Sequence, residues 1–347
     1  MEPVERECWG EVRQGAVELY TLRAGDLVAR IATLGATLVE LHAPDHAGRP
    51  ANVVLGAPSL EQAVAGFPGG SVIGRVANRI ANARFTLDHE TFRLTANEGR
   101  HHLHGGIHGF HRANWAANVG VGPEGPSVTL THVSPDGDQG YPGELEIAVR
   151  YTLSPGGLEL RARAITTRPT PLGLTNHAYF NLAGGGDVLG HQLWIDAPWW
   201  TPVDAELIPT GEIASVAGGP LDFTRPARIG ERIAELETAA GGYDHNLVLA
   251  DRRAPDAVCV QLRDPVSGRL LEIATREPGL QLYTANHLGA VTSAGGAEFG
   301  RHGAVSLETQ HFPDAVHHPH FPSVILRPGE VYATTTWFAL GTTPPGL

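Results

Sequence analysis

Apolar and polar residues alternate along long stretches of this chain. From Leu145 to Tyr151 every second residue is apolar, and the residues between them are mostly polar. A period of two is typical of a β-strand with one buried face. The run Leu158–Ile165 repeats the pattern after a Ser-Pro-Gly-Gly segment, so the two runs together predict a β-hairpin.

Similar signals recur along the chain, usually separated by Gly, Pro, Asp or Asn. The further predicted strands are Val17–Leu22, Ala83–Leu87 with Thr91–Thr95, Ser127–His132, Ala257–Arg263 with Leu270–Thr275, Ser323–Leu326 and Val331–Leu340. Helical signals are few and short. Ser59–Gln62 has the form of a capping box, and Ile229–Ala240 has helical spacing that ends at two glycines.

The order of these elements predicts the fold class. Strands do not alternate with helices as they would in a βαβ fold, and no shift in composition marks an internal boundary. We therefore expect an all-β fold, a large antiparallel β-sandwich with few short helices, in one domain over residues 1–347. The 43 glycines and 26 prolines agree with this, because many short strands need many turns.

Charge and composition exclude several function classes. The chain has 25 basic and 37 acidic residues, a formal net charge of −12, and every basic residue is arginine. Without lysine it has no Schiff-base amine, no pyridoxal phosphate linkage and no P-loop lysine. The scattered arginines form no basic stripe, so we expect no nucleic-acid partner.

Other features predict the compartment. No run of about 18 apolar residues indicates a membrane span, and the charged segment Met1–Gly10 lacks the apolar stretch of a signal peptide. Cys8 and Cys259 fit neither a disulfide framework nor a metal ligand set. We expect a cytoplasmic protein without a membrane partner.

Eighteen histidines are many for this length, and eleven of them fall into two clusters. The clusters are His101, His102, His104, His108 and His111, and His287, His302, His311, His317, His318 and His320. In a chain without lysine, most of these rings are expected to fill polar surface positions. A metal site is the alternative, since His102 and His104 would point to the same side of a strand, but no acidic ligand follows at a telling spacing.

Two segments in the first third of the chain carry candidate chemistry. Asn78 and Arg79 follow Gly74 within seven residues, and Arg79 offers a planar fork suited to sugar hydroxyls or a carboxylate. The alternative is an arginine that ties loops together by bonding carbonyl groups. His104 directly precedes two glycines, which let the backbone approach a ligand closely.

Three later segments each leave two interpretations open. His177 lies among apolar and amide neighbours, either as a satisfied core residue or as a proton carrier. Asp244 follows a glycine pair and could belong to an Asx turn or to a ligand site. Glu308 interrupts a strand-like run, so it faces water or a cleft in which a carboxylate would make a good general base.

These segments together resemble the aldose 1-epimerase family, the galactose mutarotases. The resemblance rests on six segments in the family's order: Gly74–Ile80, Leu103–Gly106, Thr175–Leu182, Tyr243–Asn246, Pro278–Tyr283 and Leu307–Asp314. It implies the large antiparallel β-sandwich of the mutarotase type, in agreement with the strand pattern. His317 and His320 depart from the family, which often has asparagine there.

The resemblance also implies residue roles. By position, Glu308 matches the general base of the family and His177 its general acid. The positions that hold the sugar hydroxyls are matched by Asn78, Arg79, His104, Tyr179, Asp244 and Gln281. The implied activity is interconversion of the α and β anomers of free hexoses such as galactose or glucose, without metal or other cofactor, by a monomer or homodimer.

Three alternatives to this activity stay open. A hexose-6-phosphate epimerase would use the same acid and base but would need a cationic phosphate pocket. A non-catalytic sugar-binding protein would need the polar cleft but not the acid and base. A metal-dependent β-barrel enzyme would use the histidine clusters as ligands.

Overall fold

The computed structural model describes residues 3–65, 69–236, 240–251, 254, 256–293 and 295–344. It contains one short α-helix, α1 (Leu60–Ala65), and single 3₁₀ turns at Ala81–Ala83, Phe110–Arg112, Asp138–Gly140, Ile229–Glu231, Ile233–Leu236 and Ala315–His317. The strands of the first half are β1 (Val4–Val12), β2 (Gly15–Ala24), β3 (Leu27–Ala32), β4 (Thr37–Pro44), β5 (Pro50–Asn52), β6 (Val72–Ile73), β7 (Arg79–Ile80), β8 (Arg84–Leu87), β9 (Glu90–Arg93), β10 (His102–Leu103), β11 (Ala116–Gly122), β12 (Gly125–Ser134), β13 (Leu145–Ser154), β14 (Gly157–Thr166) and β15 (Thr170–Pro171). The strands of the second half are β16 (Thr175–Asn176), β17 (Tyr179–Phe180), β18 (Gln192–Ile195), β19 (Trp199–Trp200), β20 (Ala214–Ser215), β21 (Ala227–Arg228), β22 (Asp244–Val248), β23 (Val258–Arg263), β24 (Arg269–Thr275), β25 (Gly279–Tyr283), β26 (Val291–Thr292), β27 (Glu298–Phe299), β28 (Val305–Gln310), β29 (Ile325–Leu326) and β30 (Tyr332–Thr342).

Antiparallel strands form three large sheets. The first sheet has the order β1-β2-β3-β4-β5, the second has the order β11-β12-β13-β14-β30-β24-β23-β18-β21, and the third has the order β17-β28-β25-β22-β19-β20. The predicted hairpin is β13 and β14, with Leu153 opposite Leu158 next to the turn. The all-β prediction is therefore confirmed.

The alternating pattern places one face of each sheet in a common apolar core. Buried side chains from all three sheets belong to this core, among them Leu22, Ile31, Val149, Ile273, Leu280 and Leu307. On the third sheet the opposite face is mostly polar, and that face carries the candidate site. Burial of apolar area is the main stabilising contribution to such a layered fold.

The helix predictions are partly right. Ser59 caps the N-terminus of α1 as predicted, since its Oγ accepts the backbone N–H of Gln62 at 3.3 Å. The helix predicted over Ile229–Ala240 is wrong for 229–236, where two 3₁₀ turns pack Ile229 and Ile233 against the core, and 237–239 lie outside the described residues. The predicted strand Ser323–Leu326 is shorter, spanning only Ile325–Leu326.

In the part of the chain that the structure describes, no helix has the length and apolar character needed to cross a membrane.

Candidate active site

The polar face of the third sheet provides one wall of the site. Glu308 on β28 stands opposite Gln281 on β25, which in turn stands opposite Asn246 on β22. Directly opposed residues of antiparallel strands share a face, so these three side chains form one polar row. Their neighbours Leu307 and Leu280 point the other way into the core, which anchors the row from behind.

His177 lies between two short strands that fix its position. Asn176 ends β16, which pairs with β6, and Tyr179 begins β17, which pairs with β28. The backbone N–H of His177 donates to the carbonyl of Ser71 at 2.9 Å. The imidazole stacks on the Tyr179 ring, with centroids 4.8 Å apart and planes 20° apart.

Asn78 and His104 build a second wall of the site and hold each other in place. Both have left-handed backbone conformations, with φ of 61° and 52°. The backbone N–H of His104 donates to the Asn78 carbonyl at 3.0 Å, and the Asn78 N–H donates to Nδ1 of His104 at 3.1 Å. Because Nδ1 accepts a hydrogen bond, a neutral His104 carries its proton on Nε2, which leaves an N–H donor for the cleft.

The two walls enclose a cleft of about 360 Å³. It is lined by Asn78, Arg79, Glu98, Leu103, His104, His177, Tyr179, Leu207, Asp244, Tyr283, His287 and Glu308. Seven of the eight predicted site residues are in this lining. The eighth, Gln281, lies opposite Glu308 and donates from Nε2 to Oδ1 of Asp244 at 2.6 Å.

Glu308 and His177 face each other inside this cleft. Oε1 of Glu308 lies 3.6 Å from Nε2 of His177, and the two residues are 2% and 5% exposed. Oε2 of Glu308 has no hydrogen-bond partner among the described residues. The cleft interpretation of Glu308 is therefore right, and His177 is both buried and at the cleft surface.

Burial governs the protonation of this pair. It raises the pKa of the Glu308 carboxyl well above its ordinary value, the nearby Asp244 raises it further, and Arg79 opposes both effects. Burial lowers the pKa of the His177 imidazole to about 4. Without a ligand, the electrostatics favour a neutral carboxyl facing a neutral imidazole.

Ser306 fixes the tautomer of that neutral imidazole. Its hydroxyl donates to the Ala178 carbonyl at 3.1 Å and lies 3.2 Å from Nδ1 of His177. Since a hydroxyl has only one hydrogen, the Ser306 oxygen can only accept from His177 Nδ1–H. Nε2 of His177 is then a free acceptor pointing at Glu308.

Arg79 is held by a carboxylate that the sequence did not point to. Its Nε and Nη2 donate to Oε2 and Oε1 of Glu98 at 2.6 and 2.7 Å, a bidentate pair at the cleft surface. The alternative considered for Arg79, the bonding of loop carbonyls, is instead the role of Arg75. That side chain is 2% exposed and donates to the carbonyls of Ser134, Pro135 and Pro142.

The Asx-turn alternative for Asp244 does not describe its place in the structure. Asp244 begins β22 and stands opposite Tyr283 on β25. Its carboxyl lines the cleft and accepts the Gln281 amide. Burial raises the pKa of Asp244, while Arg79 and the Gln281 hydrogen bond lower it.

The prediction that most of the clustered histidines are surface residues is only partly right, since four of the eleven are exposed. His101, His102 and His302 are buried, and four others of the eleven are partly buried. His102 shows why, since its Nδ1 bonds the Thr95 carbonyl at 2.7 Å and its Nε2 bonds the Tyr141 hydroxyl at 2.8 Å. Among the described residues, no group of three or more His, Cys, Asp or Glu is arranged to hold a metal ion.

Five lining residues were not predicted from the sequence: Glu98, Leu103, Leu207, Tyr283 and His287. Tyr283 had a usable signal, because it lies two residues after Gln281 on one strand and therefore on the same face. Leu207 has a φ of 60° and lies in a loop whose N–H groups bond to Asp204. The pattern of apolar and polar residues does not predict that such a loop residue reaches the cleft.

Comparisons with known proteins identify the family of this chain. The family model described as aldose 1-epimerase matches residues 18–339. Galactose mutarotase of Bos taurus is 43% identical over 344 residues, covering 97% of this chain and 98% of that protein. Aldose 1-epimerase of Escherichia coli K12 is 38% identical over 329 residues, covering 92% and 93%.

Solved structures show the same fold. An aldose epimerase homologue from C. elegans superposes with a TM-score of 0.85 at 31% identity, covering 93% of this chain and 97% of that chain. A galactose 1-epimerase from Lactobacillus acidophilus gives a TM-score of 0.86 at 25% identity, covering 98% and 99%. Since both the sequence and the fold match over nearly the whole length, this chain belongs to the aldose 1-epimerase family, a family of isomerases.

Proposed function

We propose that this chain interconverts the α and β anomers of free hexoses such as galactose or glucose. The observation that carries the proposal is the pair Glu308 and His177, whose Oε1 and Nε2 face each other at 3.6 Å in a polar cleft. The names of the relatives, galactose mutarotase and aldose 1-epimerase, agree with this activity.

The reaction needs two groups of opposite function. Opening a cyclic hemiacetal removes the proton of the C1 hydroxyl and delivers a proton to the ring oxygen. The open-chain aldehyde then rotates about the C1–C2 bond and closes on its other face, with the two roles reversed. A positioned acid and a positioned base each contribute about 10²- to 10⁴-fold to such a step.

Glu308 is the proposed base and His177 the proposed acid. The sequence-based mechanism assumed an ionised Glu308, whereas burial in the unliganded cleft favours a protonated one. The two states contain the same single proton, which moves from Oε1 of Glu308 to Nε2 of His177. Sugar hydroxyls that enter the cleft solvate the resulting charges, so the bound state gives the ionised base and protonated acid.

The other polar residues would hold the ring without fixing the anomeric hydroxyl, since both anomers must fit. His104 offers its Nε2–H, and Asn78 and Asp244 offer an amide and a carboxyl. Gln281 orients the Asp244 carboxyl through its 2.6 Å hydrogen bond. Tyr179 keeps the His177 ring in its plane by stacking.

The alternatives are less well supported. A phosphorylated hexose needs a cationic pocket, yet the one arginine among the described lining residues is already paired with Glu98. A non-catalytic binder has no use for an acid facing a base. A metal-dependent enzyme needs a ligand set that the described residues do not provide, and it would lose activity in EDTA, which the same rate measurement can test.

Polarimetry of freshly dissolved α-galactose tests the proposal. We expect Glu308→Gln and His177→Asn to abolish the enzymatic rate while sugar binding partly survives. Matched controls are Glu272→Gln, whose carboxylate bonds Gln261 on the second sheet, and His89→Asn, at an exposed turn position with a φ of 69°. Near-normal rates in folded Glu308→Gln or His177→Asn would refute the role assignment.

Three further predictions concern the whole protein. A cytoplasmic location is tested by cell fractionation. A single domain over residues 1–347 predicts one cooperative calorimetric transition. A monomer or homodimer is distinguished from larger assemblies by sedimentation equilibrium.

A further inference from the structure

Glu98 forms an ion pair with Arg79 in the cleft and neutralises its charge. The Arg79 side chain is 10% exposed and the Glu98 side chain is 36% exposed, so the carboxylate is the more accessible partner. Two charge-assisted hydrogen bonds of 2.6 and 2.7 Å occupy Nε and Nη2 of Arg79. This edge of the guanidinium is the edge that would otherwise bind a carboxylate or phosphate of a ligand.

The remaining charges of the cleft are unfavourable to an anion. Asp244 and Glu308 add two carboxyl groups to the lining, whereas burial lowers the pKa values of His104 and His177 and so favours their neutral forms. His287 is the third histidine of the described lining. Arg79 is the single arginine of that lining, and its charge is compensated.

We propose that Glu98 is a specificity-determining residue that restricts the cleft to uncharged aldoses by occupying Arg79. The inference rests on the proposed aldose 1-epimerase activity and names the charge class of its substrate. An aldohexuronate such as galacturonate has the hexose ring but carries a carboxylate on C5. That carboxylate meets the carboxyl groups of Glu98 and Asp244 and finds Arg79 already paired, which costs binding free energy.

Removal of the Glu98 carboxylate reverses this selection. In Glu98→Gln the charge of Arg79 is no longer compensated, although the amide still fills the space. Glu98→Ala removes both the negative charge and the side-chain volume next to Arg79. A uronate carboxylate can then form the bidentate pair that Glu98 forms in the parent protein. Glu98→Ala therefore favours the uronate more strongly than Glu98→Gln does.

The test is the ratio of kcat/KM for galacturonate to kcat/KM for galactose, measured by NMR exchange between the anomers at neutral pH. We expect the parent protein to favour galactose by at least about tenfold, and Glu98→Ala to raise the uronate ratio by at least about tenfold. Glu90→Gln is the matched control, because Glu90 also pairs with an arginine, Arg168 at 3.2 Å, outside the cleft. Its ratio should equal that of the parent protein.

Each outcome separates this inference from the proposed function. Equal rates on both sugars in the parent protein would overturn the role of Glu98 whatever its variants do. An unchanged ratio in folded Glu98→Ala and Glu98→Gln would also overturn it, while leaving the epimerase activity established. No turnover of galactose by the parent protein would refute the proposed function itself. Because the ratio compares two substrates of one preparation, partial loss of folded protein does not affect it.

Discussion

The hydroxyl of Ser306 lies 3.2 Å from Nδ1 of His177, and Ser306 stands two residues before Glu308 on β28. Residues two apart on a strand share a face, so one strand both carries the proposed base and orients the proposed acid. The Ala178 carbonyl accepts the Ser306 proton and leaves the serine oxygen as an acceptor for His177. This arrangement keeps Nε2 of His177 aimed at Glu308.

Ser306→Ala should therefore lower kcat more than it raises KM. The variant removes the acceptor for Nδ1–H. Without this hydrogen bond, the tautomer of the neutral ring that leaves Nε2 unprotonated is no longer favoured. Loss of one buried hydrogen bond corresponds to a decrease of about tenfold in kcat. Ser306→Thr keeps the hydroxyl and serves as the control. A kcat for Ser306→Ala equal to that of the parent protein would show that the serine does not orient the ring.

The pH dependence of kcat/KM should follow the proton count of the Glu308 and His177 pair. Below about pH 4, where the pKa of His177 lies, both groups are protonated and no base is present. Above the raised pKa of Glu308 the pair has lost its proton, so no acid is present. The profile is therefore bell-shaped, and its limbs belong to the pair as a whole.

Asp244→Asn should move the alkaline limb of that profile to lower pH. The charge of Asp244 is one of the causes that raise the pKa of Glu308, and the amide removes it. The absolute rate also falls because a hydroxyl contact is lost, but the position of the limb is independent of that loss. Asp26→Asn, at an exposed turn, is the matched control. An alkaline limb that stays in place would contradict the electrostatic coupling.

Much of the fold could be predicted from the sequence because alternation reports directly on burial. Leu145 to Tyr151 forms a strand with its apolar side chains buried, as predicted. The helix predicted over Ile229–Ala240 is wrong for 229–236, because helical spacing over a short segment indicates only that Ile229 and Ile233 are buried. Two 3₁₀ turns satisfy that requirement as well as an α-helix does.

The site could be predicted only where chemistry and motif coincided. Glu308 and His177 were candidates because a carboxylate and an imidazole in apolar runs are costly to bury unless they are paired, and the resemblance to the aldose 1-epimerase family then implied their roles. Glu98 could not be found, since its significance comes from Arg79, 19 residues away and brought close by the pairing of β7 with β10. The burial of His102 could not be predicted for a related reason, because its ring is satisfied by the Thr95 carbonyl and by the hydroxyl of Tyr141, 39 residues away.

The buried histidines predict a loss of stability in mild acid. Burial lowers the pKa of each of His102, His111, His191 and His245 to about 4. Between about pH 6.5 and pH 4 the unfolded chain binds more protons at these rings than the folded protein does, so the free energy of unfolding falls as pH falls. The raised pKa values of Glu308 and Asp244 make the free energy of unfolding rise as pH falls, but these are two groups against four histidines.

His191→Gln isolates one of these contributions. Nε2 of His191 accepts the Leu182 N–H at 3.0 Å, and a glutamine carbonyl oxygen can accept the same proton without titrating. The difference in the free energy of unfolding between pH 7 and pH 5 should shrink by about 2 kcal/mol in the variant. Urea unfolding at the two pH values measures it. An identical difference in both proteins would mean that His191 does not titrate on unfolding.

Arg75→Lys should destabilise the protein without altering the chemistry of the cleft. Burial lowers the pKa of Arg75 to about 10, and its three nitrogens donate to Ser134, Pro135, Pro142 and Thr170. A lysine keeps the charge but cannot span these acceptors, so buried carbonyls lose their partners at a cost of about 2–4 kcal/mol. Arg327→Lys, at an exposed pair with Asp88, is the control and should cost under about 1 kcal/mol.

Urea unfolding gives the stabilities, and polarimetry of the folded variants gives kcat/KM, which we expect to stay close to that of the parent protein. Equal stability losses for both variants, or a reduced kcat/KM in stable Arg75→Lys, would contradict a purely structural role for Arg75.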